Sequence, residues 1–156
     1  MMKSSKLAIS IASWFGCGYA PVAPGTAGSA AAVAIAILLG ESAGWRPWHF
    51  AVLSAAATLP GMWAAGVAAR ESGRKDPGFV VVDEVLGQWL ALAGTHTLNW
   101  KSYAGAFLLF RIFDIWKPAP VRQLEALRGG VGIVADDLMA GLYAALVLGI
   151  AGYFLS

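Results

Sequence analysis

The segment "ADDLMAGLYAALVLGIAGYFL", residues 135–155, is apolar throughout except for two aspartates at its start, Asp136 and Asp137. A helix needs about 20 predominantly apolar residues to cross the hydrocarbon core of a bilayer. This segment has that length, so it predicts a membrane-spanning helix whose first turn is acidic.

Four further apolar segments lie earlier in the chain, at 28–40, 48–69, 81–98 and 102–116. Two of the five segments are short for a full crossing, which leaves the number of crossings open. We expect Pro60-Gly61 to kink the second segment. Small residues are abundant in all five, as in closely packed membrane helices. The predicted fold class is all-α, a compact multi-helix integral membrane bundle of about five apolar helices, in a single domain over residues 1–156.

The composition favours the same conclusion. The chain is 58% hydrophobic and only 13% charged, whereas soluble domains average roughly 45–50% apolar and about 25% charged residues. A very compact soluble helical bundle is the alternative. The net charge of +2 does not suggest a nucleic-acid partner.

The basic residues predict an orientation. If the N-terminus is cytoplasmic and all five segments cross, eight basic residues lie on the cytoplasmic side and two on the outer side, as the positive-inside rule requires. The cytoplasmic set is Lys3, Lys6, Arg70, Arg74, Lys75, Lys117, Arg122 and Arg128, and the outer set is Arg46 and Lys101. The same arrangement places all the charged motifs of the apolar segments at the cytoplasmic boundary, at one depth.

Five of the nine acidic residues lie inside the apolar segments; they are Asp83, Glu84, Asp114, Asp136 and Asp137. Five neighbouring acids would repel one another strongly, and a divalent cation would neutralise them. Oxygen-only ligands suit Mg²⁺, and the absence of a Cys/His cluster from the sequence argues against zinc. The alternative for each acidic pair is a first helical turn favoured by the helix dipole.

Local spacing supports a packed site. Asp83 and Gly87 are four residues apart, as are Asp137 and Gly141, so each pair shares one helix face. A glycine one turn from a carboxylate allows a neighbouring helix to approach closely. In "FRIFDIWKPAP", residues 110–120, an arginine and an aspartate three residues apart also share a face, either as a structural ion pair or as part of the site.

The loop "GCGYAPVAPGTAGS", residues 16–29, has a backbone restricted by prolines and glycines. Thr26 or Ser29 could cap the following helix, whose N-terminus could bind an anion. Lys117 stands just beyond a helix end at the same predicted boundary, where an interfacial lysine that reaches toward water is the alternative. We expect His49 and His96 to lie away from this boundary.

Four segments, "GCGYAPVAPGTAGS", "DPGFVVVDEVLGQWLAL", "FRIFDIWKPAP" and "GGVGIVADDLMAGLYAAL", resemble the signature segments of phosphatidylglycerophosphatase A, in that family's order. The resemblance covers most of residues 16–146. It implies a Mg²⁺-dependent lipid phosphatase of the bacterial inner membrane with its active site facing the cytoplasm. Such an enzyme hydrolyses phosphatidylglycerophosphate to phosphatidylglycerol and inorganic phosphate.

By motif, the family's functional positions fall on Thr26, Asp83, Glu84, Arg111, Asp114, Lys117, Asp136 and Asp137. Our assignment gives the metal to Asp83, Glu84, Asp136 and Asp137, and the substrate phosphate to Thr26, Arg111 and Lys117. Asp114 is a further metal ligand or orients the attacking water, so the catalytic set is Asp83, Glu84, Asp114 and Asp137. A carboxylate nucleophile that forms an aspartyl phosphate is the alternative to water attack.

Two other classes compete with this interpretation. Carboxylates inside membrane segments often mark ion pathways, so a transporter or channel subunit is the main alternative; its charges should lie near the bilayer midplane rather than at one boundary. A CDP-alcohol transferase would need a denser aspartate array around a D-G-x₂-A-R type run, which this sequence lacks.

Overall fold

A computed structural model of the chain describes residues 3–155, with side chains from 4 to 154, and this part is helical without any strand. The elements are α1 (Lys3–Ala12), a 3₁₀ turn (Cys17–Tyr19), α2 (Pro24–Ala43), α3 (Pro47–Ser72), α4 (Val82–Ala93), α5 (Trp100–Trp116), α6 (Val121–Glu125) and α7 (Gly129–Leu155). The predicted all-α bundle is confirmed. The single domain over 1–156 stays a prediction, and residues 1, 2 and 156, together with the side chain of Lys3, lie outside the described set.

Three helices of the described chain, α2, α3 and α7, are long and apolar enough to cross a membrane. Large apolar side chains are exposed on them, including Leu38, Leu59, Leu146 and Ile150. Exposed apolar surface of this extent needs a nonpolar environment. The three apolar helices therefore suggest a membrane protein.

The prediction of about five apolar helices, some of them short or kinked, is not confirmed. α4 ends at Ala93 and has 12 residues, so it spans only about 18 Å at 1.5 Å per residue. α5 has 17 residues. α2, in contrast, starts earlier than the apolar segment 28–40, because Pro24 takes the first helical turn, where its missing N–H costs nothing.

The start of α2 also corrects the capping prediction. The residue before the helix is Ala23, in the left-handed conformation, and no side chain of the described chain caps this helix end. Thr26 therefore lies within the first turn, and Ser29 lies deeper and is fully buried. α3 runs on through Pro60 as one helix.

α4 is the central helix, packed against α2, α3, α5 and α7. Its contact with α7 depends on glycines, as the spacing predicted: a Cβ at Gly141 would collide with the carbonyl oxygen of Gly87, and a Cβ at Gly87 would collide with that of Asp137. The helix is also tied to its other neighbours. The Ser54 hydroxyl of α3 donates to the carbonyl of Leu86 at 2.9 Å, and Val81 N–H, just before α4, donates to Ala12 of α1 at 2.8 Å.

Candidate active site

Parts of four helices meet at one end of the bundle. They are the starts of α2 and α4, the end of α5 and the first third of α7. A Cβ at Gly25, in the first turn of α2, would collide with the Glu84 carboxylate and lie 3.2 Å from Arg111 Nη1. Three of the four motifs predicted to converge therefore meet here, and a carboxylate oxygen of Asp137, in the fourth, lies within 4.8 Å of one from Asp83 and one from Glu84.

Asp83, Glu84 and Asp137 form a carboxylate trio. One oxygen of each lies within 4.8 Å of the others, and Asp83 and Asp137 are only 7% and 3% exposed. Within residues 3–155, Asp83 Oδ1, Glu84 Oε2 and Asp137 Oδ2 are buried without a hydrogen-bond partner. Each member of the trio thus has one buried oxygen left for a ligand.

The charge of the trio is a large cost unless something neutralises it. At such separations each like-charge pair costs roughly 3–4 kcal/mol at an effective dielectric constant of about 20. Three pairs therefore cost roughly 10 kcal/mol, which is comparable with the whole net stability of a typical domain. The donor set is hard oxygen throughout, and one oxygen of each residue lies within 4.8 Å of the others, so the trio could hold a metal ion.

Arg111 is the cation nearest the trio. Its Nη1 donates to Asp114 Oδ2 and lies 4.0 Å from Glu84 Oε1. Both carboxylates are mostly buried, so these are ion pairs of low exposure rather than surface pairs. The first turn of α2, with N–H groups that no preceding helical turn can satisfy, lies directly beside this guanidinium.

The second acidic pair behaves differently. Asp136 faces Lys117, whose Nζ donates to Asp136 Oδ2 at 2.8 Å and to Glu125 Oε1 at 2.9 Å. Asp136 Oδ1 accepts from the Asp137 backbone N–H at 3.0 Å. Burial alone would lower the pKa of Lys117, but the hydrogen bonds to Asp136 and Glu125 raise it above its usual value, so the amine stays charged.

The sequence profile of phosphatidylglycerophosphatase A matches residues 10–151 of this chain. The chain belongs to the phosphatidylglycerophosphatase A family. The resemblance found in the four motifs is thereby confirmed, and the protein is a phosphatase. The family does not favour the transporter or channel alternative.

Three relatives are similar to this chain over most of its length. Phosphatidylglycerophosphatase A of Escherichia coli K12 is 35% identical over 141 residues, covering 89% of this chain and 80% of the relative. That of Haemophilus influenzae is 37% identical over 135 residues, covering 86% and 82%. A Bacteroides thetaiotaomicron protein named "Putative phosphatidylinositol-3-phosphatase" is 41% identical over 157 residues, covering 97% of both chains. No solved structure matches the chain.

The eight positions taken from the phosphatidylglycerophosphatase A motifs fall into three groups and one single residue, Thr26. Asp83, Glu84 and Asp137 are the trio, Arg111 and Asp114 are an ion pair beside it, and Lys117 and Asp136 are a separate ion pair. Thr26 is half-buried in the first turn of α2, next to Gly25. The metal, phosphate and catalytic roles assigned to these residues all stay predictions. The Asp136 carboxylate accepts hydrogen bonds from Lys117 and from the backbone N–H of Asp137.

One acid that the sequence reasoning did not single out is Asp76. It opens the motif "DPGFVVVDEVLGQWLAL", and the charges of Lys117, Glu125 and Asp114 all act on it. It was missed because it precedes α4 in a loop, outside the apolar segments used to select acids. The two histidines lie elsewhere, as expected: His49 contacts Arg46 at the start of α3, and His96 contacts the carbonyl of Gly149 near the end of α7 at 3.0 Å.

Proposed function

We propose that this protein hydrolyses the phosphomonoester of phosphatidylglycerophosphate, with Mg²⁺ held by Asp83, Glu84 and Asp137, at the cytoplasmic face of a bacterial inner membrane. The observation that carries the proposal is the trio of buried carboxylates, each with one unpartnered oxygen, beside an arginine and a helix N-terminus in a chain of this phosphatase family. Two of the relatives are named phosphatidylglycerophosphatase A.

The phosphate of the substrate is recognised by Arg111 and by the first turn of α2. Arginine matches the geometry of phosphate oxygens, and helix N-termini favour anions through their free N–H groups and the helix dipole. The contact between Gly25 and the Glu84–Arg111 pair puts both elements next to the trio. Thr26 adds a hydroxyl donor in the same turn.

The chemistry is hydrolysis of one P–O bond. Water attacks phosphorus, the bond from phosphorus to the terminal glycerol oxygen breaks, and that oxygen leaves with a proton as the free hydroxyl of phosphatidylglycerol. When bound, the Mg²⁺ would neutralise charge on the phosphoryl oxygens and polarise them. Asp114 orients the attacking water, since Arg111 fixes one of its oxygens and the same guanidinium nitrogen lies 4.0 Å from Glu84 Oε1 of the trio.

The three apolar helices support a membrane setting. The acyl chains of the substrate stay in the bilayer, and the headgroup phosphate reaches the trio at the boundary. The eight-to-two distribution of basic residues, counted for five crossings, supports a cytoplasmic site, and the relatives named above are bacterial.

Phosphate release from a panel of lipids in detergent micelles tests the substrate. The panel contains phosphatidylglycerophosphate, phosphatidic acid and phosphatidylinositol-3-phosphate, the last because the name of the Bacteroides relative points to it. We expect the highest kcat/KM for phosphatidylglycerophosphate. A higher kcat/KM for phosphatidylinositol-3-phosphate would make that lipid the preferred substrate. A lack of phosphate release from every lipid would reject the proposed phosphatase chemistry at this site.

Metal removal tests the cofactor. EDTA should abolish turnover and added Mg²⁺ should restore it, because EDTA would remove the metal ion that the carboxylates of the trio bind. Binding of Mn²⁺, followed by its EPR signal in the protein without substrate, gives a readout independent of activity; Glu84→Gln should weaken it. Full activity in EDTA would remove the metal from the proposal.

Trapping of a phosphorylated intermediate distinguishes water from an aspartate carboxylate as the nucleophile. Rapid quenching of a reaction with substrate labelled in its terminal phosphate should leave no acid-stable phosphoprotein, because water attacks directly. A labelled aspartate in the quenched protein would replace water attack with the covalent route.

A further inference from the structure

α5 has an exposed apolar stripe on the side away from the core. The stripe consists of Leu108, Ile112 and Ile115, which are 59%, 52% and 71% exposed. Their spacing of i, i+4 and i+7 puts them on one helix face. The other side of α5 is buried, through Tyr103, Ala106, Phe110 and Asp114. We call Leu108, Ile112 and Ile115 the α5 stripe.

The α5 stripe lies at the depth of the bilayer, because α5 runs antiparallel to α2. A Cβ at Gly25, at the start of α2, would lie 3.2 Å from Arg111 Nη1, near the end of α5. A Cβ at Gly40, near the end of α2, would lie 2.8 Å from the hydroxyl oxygen of Tyr103, near the start of α5. α2 is one of the three helices that could cross a membrane, so the exposed side of α5 faces the same apolar surroundings.

The α5 stripe leads to the phosphate-binding arginine. Leu108, Arg111 and Ile115 are at i, i+3 and i+7, so the arginine lies between two apolar residues of one face. The side chain of Arg111 is 18% exposed, so it can still be reached from outside the bundle. α5 runs toward the site, so Ile115 is level with Asp114, and Leu108 lies about 10 Å deeper in the bilayer.

α2 leaves room beside the α5 stripe. The first exposed residues of this helix are Ala30 and Ala34, which are small. Its first large exposed side chain is Leu38, about two turns beyond Ala30 and further from the site. A lipid can therefore approach Arg111 along α5 without meeting a large exposed side chain of α2.

We propose that the α5 stripe binds an acyl chain of the substrate lipid and so guides its headgroup to Arg111. The chain lies against the stripe with its headgroup end at Ile115, and the phosphate reaches the trio without leaving the membrane boundary. Van der Waals contact holds the chain, because the hydrophobic effect contributes little between apolar groups within a bilayer. The inference rests on the proposed function, since it takes the substrate to be a diacyl lipid phosphate.

Leu108→Trp tests the α5 stripe kinetically with two lipids that share one headgroup. The indole would obstruct a chain that reaches the deep end of the stripe. KM for dioleoyl phosphatidylglycerophosphate should therefore rise at least about fivefold, the lower end of the cost of overpacking. KM for the dibutanoyl lipid should not change, because its short chains end before Leu108.

Leu146→Trp on α7 is the matched control. Leu146 is 55% exposed and lies two residues before Leu148, which faces Gly105 of α5. Leu146 is therefore at a similar depth but points about 200° away from α5. Both lipids should keep their wild-type KM in this variant. An unchanged KM for the dioleoyl lipid in Leu108→Trp would overturn the proposal, and so would an equal rise for both lipids, which would indicate a distorted site.

Photo-cross-linking identifies the occupant of the α5 stripe without turnover. The probe is a phosphonate analogue of phosphatidylglycerophosphate, whose terminal P–C bond resists hydrolysis, with a diazirine in one acyl chain. We expect label on residues 108–115, removed by excess unlabelled phosphatidylglycerophosphate but not by phosphatidylcholine. Equal competition by the two lipids would make the occupant bulk bilayer lipid, and an unlabelled stripe cross-linked to another copy of the chain would make it a dimer interface. Either result would overturn the proposal.

Failure of this inference differs from failure of the proposed function. If the wild-type protein released no phosphate from either the dioleoyl or the dibutanoyl lipid, the phosphatase proposal itself would be rejected. If it hydrolysed both lipids and Leu108→Trp left both KM values unchanged, only the role of the α5 stripe would be rejected.

Discussion

The two acidic pairs, Asp83-Glu84 and Asp136-Asp137, have the same appearance in the sequence and different surroundings in the fold. Both members of the first pair join the trio. Only Asp137 of the second pair does, and Asp136 binds Lys117. Adjacent residues on a helix point about 100° apart. α4 is enclosed by partner helices on several sides, and the side chains of both Asp83 and Glu84 reach the trio. On α7, the side chain of Asp136 faces α6 and the end of α5 instead.

The difference shows that two adjacent acids in an apolar segment can have different partners and different roles. The trio has orphaned oxygens and suits a cation. Asp136 has a cation as its partner, because Lys117 bridges it and Glu125, and its oxygens accept from the amine and from a backbone N–H. Substitutions at these residues test whether the trio and the Lys117–Asp136 pair have different roles.

The largest effect is expected from Asp137→Asn set against Asp136→Asn. Asp137→Asn removes a charge from the trio and should lower kcat by more than about 100-fold, beyond the usual loss for an outer-shell residue. Asp136→Asn, its matched neighbour, should lower kcat much less. Phosphate release measures kcat, and Mn²⁺ binding measures the site directly. Equal losses for the two variants would place Asp136 among the metal ligands after all.

The next effect is on stability. Lys117→Ala would leave Asp136 buried without its amine, and removing one partner of a buried pair costs roughly 3–5 kcal/mol. We expect a clear fall in Tm in detergent, with a smaller rise in KM than Arg111→Ala produces. Adding Asp136→Asn to Lys117→Ala should recover much of the Tm.

Lys101→Ala, at the far end of α5, is the control for loss of a lysine and should leave Tm unchanged. A large rise in KM for Lys117→Ala with an unchanged Tm would support the phosphate role predicted for this lysine.

A still smaller effect is expected from Gly141→Ala. The new Cβ would meet the carbonyl of Gly87, and overpacking of this kind typically costs 1–3 kcal/mol, about the loss we expect in unfolding free energy. Because Asp137 lies one turn away on the same face, kcat should fall as well. Gly105→Ala is the control, since its Cβ would make only an ordinary 3.4 Å contact with Leu148. No loss in Gly141→Ala would mean that α4 and α7 can separate without disturbing the trio.

Much of the candidate site was predictable. Carboxylates are rare in apolar segments, so the five acids of these segments could be selected from the sequence, and the glycines at i+4 indicated close helix contact. The same criterion also selected Asp136 as a metal ligand, whereas its carboxylate pairs with Lys117. Asp76 was missed because it belongs to a loop, where an acid needs no explanation. The capping role of Thr26 or Ser29 was wrong because Pro24 starts α2 earlier.

The sequence by itself determined the all-helical class, the membrane setting and the set of charged residues, because periodicity, apolar length and the cost of charge in lipid are local properties. Only the tertiary structure decided that α4 is a short, enclosed helix, that Asp136 faces Lys117, and that Asp83, Glu84 and Asp137 form one trio. These depend on which face of each helix meets which neighbour, and no local pattern specifies that.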